Sequence, residues 1–130
     1  MNLPYSDRVR QLAQEWLAED IRLVVPALWG YEVVSAIRKA VTAHLLTTDE
    51  GDEAIQDLWS LDIKEVPGTI ERHIRALSWA ARLGQMVAYD AQYLVVAEEL
   101  GAAFWTADRS LSEAARSLGA DWVHWIGAET

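Results

Sequence analysis

A chain of 130 residues, 52% of them apolar, has the length of one ordinary domain and can bury a sizeable core. Its net charge of −9 argues against a protein that grips nucleic acid with its whole surface, and leaves room for a small cationic groove, a metal-neutralised acidic site or a basic protein partner. Cysteine is absent, so disulfide and thiolate chemistry are excluded, which fits a reducing cytoplasm.

The start, MNLPYSDRVRQ, turns polar at once and predicts no signal peptide. The longest apolar run, VVPALWGYEVVSAI, is broken by Pro26, Gly30 and Glu32, so no membrane span is expected. A first helix is predicted from about Asp7 to Glu19, with Ser6 as N-cap and an apolar stripe of Val9, Leu12, Ala13, Trp16 and Leu17. IRLVVP reads as a strand ended by Pro26, which suits the first turn of the following helix. That helix, ALWGYEVVSAIRKAV, turns Trp29, Val33, Ala36, Ile37, Ala40 and Val41 inward, and Glu32 adjoins this face. Thr48 is expected to cap DEGDEAIQDLWSL, whose Ile55, Leu58 and Trp59 point inward. Its Asp49, Glu50, Asp52 and Glu53 form a solvated first turn that complements the helix dipole.

IKEVP is a short strand. Thr69 then caps TIERHIRALSWAARLG, with Ile70, Ile74, Leu77 and Ala81 inward and Gly84 as its stop. Tyr89 to Leu100 forms the next helix, with Ala91, Leu94, Val95 and Glu98 at helical spacing and Asp90 on the same face. Gly101 stops it, because glycine enters the left-handed conformation without a Cβ clash. AAFWT is a short unbroken apolar run, as in a parallel strand covered on both faces. A last helix carries Leu111, Ala114, Ala115 and Leu118 and ends at Gly119, and DWVHWI closes the chain as a fourth strand. Of the seven tryptophans, most are expected in the core and some at a surface that meets another protein. His44, His73 and His124 do not cluster and read as structural or solvated.

Strands alternating with helices predict a parallel α/β domain with right-handed crossovers. In such sheets ligands bind beyond the carboxyl ends of the strands, which is where Asp108 falls. Aspartate at a helix start is equally explained by capping and the helix dipole. Glu32, Asp90 and Asp108 are nonetheless three carboxylates predicted at buried edges, and a buried carboxylate needs a partner such as a metal.

VPALWGYEVVSAIRKAV, a helical pair, and then LGQMVAYDAQYLVVAEELGAAFWTADRSL together resemble the PIN domain of the VapC-type toxins, in order and over nearly the whole chain. The segments PALWGYEV, AYDAQYL and TADRSL carry the likeness. The resemblance implies a metal-dependent endoribonuclease acting on RNA, in a single domain spanning 1–130. Its ligands for Mg²⁺ or Mn²⁺ would be Glu32, Asp90 and Asp108, with Thr106 at the hydroxyl position of the TxD segment. It further implies a cytoplasmic protein, a homodimer and a basic antitoxin partner.

In the family a central strand with a fourth aspartate precedes the segment that MNLPYSDRV resembles. The expectation is therefore a PIN-like sheet of about four strands without that first strand, helices on both faces, and weak metal binding through three ligands. Direct pairing of residues 23–25 with residues 102–106 is expected to close the gap, the alternative being a segment swapped in from a second copy of the chain. Two other readings stay open: an inactive PIN-like protein that keeps only partner binding or dimerisation, and a plain α/β scaffold whose three acids are caps.

Overall fold

The computed structural model describes residues 6–127. Six helices and four short strands follow one another as α1 (Ser6–Ala18), β1 (Leu23–Pro26), α2 (Leu28–Thr42), α3 (Thr48–Ser60), β2 (Ile63–Val66), α4 (Ile70–Leu83), α5 (Tyr89–Leu100), β3 (Phe104–Thr106), α6 (Arg109–Ser117) and β4 (Val123–Trp125). The α/β class and the alternation follow the expected order. All strand pairing is parallel, in two ladders of two strands each. β1 pairs with β2, Leu23 opposite Ile63 and Pro26 opposite Val66, and β3 pairs with β4, Phe104 opposite Val123 and Thr106 opposite Trp125. In each ladder the partners are the two strands joined by one helical crossover. Such a crossover brings a parallel strand back beside the one it left, with no further strand needed.

The chain divides into two compact units, Arg22–Pro67 and the stretches on either side of it, up to Ile21 and from Gly68 onward. In the first unit β1 and β2 are bridged by α2 and α3. The capping residue of α3 is Thr47, one earlier than expected, and it forms a full capping box: Thr47 Oγ1 accepts from Glu50 N–H at 3.1 Å and Glu50 accepts from Thr47 N–H at 2.9 Å. Gly51 is buried, and a Cβ there would meet Ile37 Cγ2 at 3.2 Å and Val41 Cγ2 at 3.3 Å, so α2 and α3 approach through the missing side chain. Trp29 and Trp59 meet at 4.8 Å between ring centroids. Pro26 ends β1 rather than opening α2, and its ring leaves one fewer N–H for the ladder to satisfy.

The second unit holds the hydrophobic core, built from Ala76, Trp79 and Ala80 of α4, Ala91, Leu94 and Val95 of α5, Leu111 and Ala115 of α6, with Ala120 and Val123. Leu94, Val95 and Val123 are its largest fully buried side chains, each contributing about 1.5–3 kcal/mol on removal from water. The expected inward face of α4 is corrected here. Ile70, Ile74 and Leu77 are 71%, 61% and 69% exposed, and Ala81 is exposed too. Packing uses Ala76, Trp79 and Ala80 instead, because alanines on α4 and Ala91 on α5 let the two helices come close. Trp79 Nε1 then donates to Glu98 Oε1 at 3.4 Å along the seam. Of the expected α1 stripe, Leu12 is buried and Trp16 half-buried, the latter 5.8 Å from the Trp105 ring, whereas Val9, Ala13 and Leu17 stay exposed. The expected Ser6 cap concerns a side chain outside those described. Asp20, not glycine, takes the left-handed position after α1 (φ 55°).

Candidate active site

β3 is three residues long and delivers two of the predicted site residues at its carboxyl end. Thr106 is its last member, held in place by Ile126 N–H donating to Thr106 O at 2.9 Å. Thr106 Oγ1 accepts from the backbone N–H of Asp108 at 3.0 Å, and Asp108 Oδ1 accepts from Leu111 N–H at 3.1 Å. Asp108 is thus the N-cap of α6, as capping chemistry predicts. Only one of its carboxylate oxygens is committed to the cap. Arg109, next in sequence, bonds Glu113 Oε1 at 2.9 Å and lies with its guanidinium 5.1 Å from the centre of the Trp125 ring.

Asp90 sits in the first turn of α5 without capping it. The N-cap is Ala88, which makes no side-chain hydrogen bond to the helix. Asp90 Oδ2 instead accepts from Gln85 Nε2 at 3.2 Å, across the connection from α4. The carboxylate belongs to a helix whose Ala91, Leu94, Val95, Val96 and Ala97 are buried, yet Asp90 itself is exposed. Glu98, expected on the same stripe, is exposed as well.

Glu32 lies on the second turn of α2 in the first unit and is exposed, as Asp108 is. The expectation of three carboxylates at buried edges is therefore corrected to three exposed ones. Among the described residues no group of three or more acidic, histidine or cysteine side chains is close enough together to hold a metal ion. His73 pairs with Gln92 Nε2 at 3.3 Å, and the His124 ring lies 4.8 Å from that of Trp105. Gln85 was not singled out by sequence reasoning. Its only signal is position, directly after the helix-stopping Gly84 and five residues before Asp90.

Comparison with known proteins places these residues in a family context. Residues 4–117 match the family described as PIN domain, a span that includes Glu32, Asp90, Thr106 and Asp108. A VapC ribonuclease of Mycobacterium bovis is 35% identical over 94 residues, which cover 71% of this chain and 69% of that protein. Ribonuclease VapC9 of Mycobacterium tuberculosis is similar to the same extent. No helix among the described residues is long and apolar enough to cross a membrane.

Proposed function

Because the chain belongs to the PIN domain family, we propose that it is a metal-dependent endoribonuclease of the toxin–antitoxin type, acting as one cytoplasmic domain on RNA and held in check by a basic antitoxin protein. The 35% identity to ribonucleases of this family over 94 residues carries the reading. By family resemblance Glu32 of the first unit and Asp90 and Asp108 of the second are the residues that would hold Mg²⁺ or Mn²⁺. Their donor chemistry fits: all three offer carboxylate oxygens, the ligands hard cations prefer, and Mg²⁺ is commonly held by one or two carboxylates together with water and phosphate oxygens. When bound, the ion would supply an activated water and offset charge on the scissile phosphate.

The chain's own residues do the positioning. The cap bond to Leu111 N–H fixes the Asp108 carboxylate while leaving its second oxygen for a ligand. Thr106 Oγ1 holds the Asp108 backbone, so the strand end and the helix start move as a unit. Asp90 is oriented from one side by Gln85 and keeps one oxygen for a ligand. Mn²⁺-dependent cleavage of a structured RNA, lost in Asp90→Asn and in Asp108→Asn, is the expected result. Cleavage that persists at the same rate in both variants would overturn the assignment.

A second reading, a PIN-like protein that keeps association alone, is favoured by the exposed Ile70, Ile74 and Leu77 of α4. Contiguous exposed apolar side chains mark association surfaces. Homodimer formation through this face is expected in either reading. Light scattering that finds a monomer at high protein concentration would remove it.

A further inference from the structure

The connection between α4 and α5 holds a side chain whose chemistry its local surroundings do not explain. Gly84 takes the left-handed conformation (φ 70°) that ends α4, and its N–H reaches Ala80 O and Ala81 O. Gln85 N–H then donates to Ala80 O at 2.9 Å, which anchors the Gln85 backbone to the last turn of the helix. From this fixed point the side-chain amide runs to Asp90, Nε2 donating to Oδ2 at 3.2 Å. The orientation is dictated by chemistry. A carboxylate has only acceptors, so the NH₂ end must face it and the amide oxygen must face away. That oxygen, Gln85 Oε1, is buried and has no hydrogen-bond partner among the described residues.

A buried amide oxygen without a donor is unfavourable, and an apolar side chain of similar length at position 85 would avoid the loss. Fold stability alone therefore selects against glutamine here. What glutamine supplies, and an apolar residue does not, is a donor on one oxygen of Asp90. Asp90 has no capping duty to orient it, unlike Asp108, since Ala88 occupies the cap of α5. The bond from Gln85 is the restraint that the structure provides in its place.

We propose that Gln85 is a positioning residue for Asp90: its amide holds Oδ2 and thereby presents Oδ1 to the divalent cation. The proposal rests on the reading of Asp90 as a metal ligand. It follows the general pattern in which a neighbour that orients a ligand contributes to affinity without touching the ion.

The test uses the full chain with Mn²⁺ as the probe, its affinity measured by calorimetry or by the electron paramagnetic resonance of free Mn²⁺. Gln85→Met keeps length and apolar volume and removes the donor. The expected result is an Mn²⁺ affinity about tenfold weaker in Gln85→Met, with a thermal midpoint equal to or above that of the wild type. A purely structural glutamine would leave Mn²⁺ affinity unchanged once the variant is folded, and that outcome overturns the proposal. Wild-type protein that binds no Mn²⁺, or Asp90→Asn protein that binds it as well as wild type, overturns the metal-ligand reading and the proposal with it. A second measurement stands independently of metal and of the variant's folding. In the metal-free wild type, one side-chain amide proton of Gln85 should resonate downfield in an ¹H–¹⁵N spectrum and return to the ordinary position in Asp90→Ala. An ordinary Gln85 side-chain signal in the wild type would overturn the restraint itself.

Discussion

The backbone N–H of Asp108 donates to Thr106 Oγ1 at 3.0 Å, so the last residue of β3 and the cap of α6 are tied together by a bond two residues long. The hydroxyl satisfies an N–H that neither the strand ladder nor the helix engages, and it fixes the angle at which α6 leaves the sheet. Thr106→Val removes the acceptor and keeps the shape. A loss of no more than about 1 kcal/mol in stability is expected, because Asp108 is exposed and water replaces the bond. The effect on RNA cleavage should exceed the effect on stability, and the pair of measurements on one variant checks this.

Asp108 separates capping from chemistry. Asparagine caps helices about as well as aspartate, so Asp108→Asn should stay within about 1 kcal/mol of the wild type, while Asp108→Ala loses the bond to Leu111 N–H and about 0.5–2 kcal/mol. Both variants should lose metal-dependent cleavage alike. Denaturant unfolding gives the first comparison and RNA cleavage the second. If Asp108→Asn cleaves normally, the residue is a cap and nothing more.

The two faces of α4 make opposite predictions. Leu94→Ala, beneath the buried Ala76 and Ala80 face, should cost about 2–5 kcal/mol. Leu77→Ala, on a side chain 69% exposed, should change stability by about 0.5 kcal/mol or less at protein concentrations where the chain is monomeric. A concentration-dependent loss for Leu77→Ala, read from unfolding at two protein concentrations, would locate the association face there.

Acid should loosen the seam between α4 and α5. The side-chain hydrogen bond from Arg72, at 2.6 Å, is the largest influence holding the Glu99 carboxyl below its ordinary value of 4.5, and Arg75 adds to it at 3.3 Å. A carboxyl whose folded pKa is depressed contributes stability that is fully present above the unfolded value. That contribution is lost as pH falls below 4.5 and through the folded value. Arg72→Gln should therefore flatten the dependence of the unfolding midpoint between neutral pH and the carboxylate range. The wild type and variant should converge at the acid end.

Glu50 behaves in the same sense within its capping box. The hydrogen bond from the Thr47 backbone, followed by that from its side chain, lowers the Glu50 pKa. Thr47→Ala keeps the backbone donor and removes the hydroxyl, so it should cost about 1 kcal/mol at neutral pH and leave part of the acid sensitivity in place. Unfolding curves of the variant at several pH values measure both effects.

Local chemistry determined the elements. Gly84 and Gly101 end their helices in the left-handed conformation, Thr69 caps α4 through Arg72 N–H, and Asp108 caps α6, all as short-range rules require. The positions of Asp90 in the first turn of α5, of Asp108 at the cap of α6 and of Thr106 at the end of β3 follow from the same short-range rules. Sequence reasoning turned Ile70, Ile74, Leu77 and Ala81 of α4 inward, and the structure buries the other apolar stripe. Ile70, Ile74 and Leu77 recur at helical spacing as well as Ala76, Trp79, Ala80 and Leu83 do, and periodicity has no means of ranking them. The packing of Ala76, Trp79 and Ala80 with Ala91, Leu94 and Val95 of α5 ranked them. Tertiary structure likewise decided that each strand pairs with the one returned to it by its own crossover, and that Asp90 is oriented by Gln85. Both depend on groups that become neighbours only once the helices between them have turned the chain back.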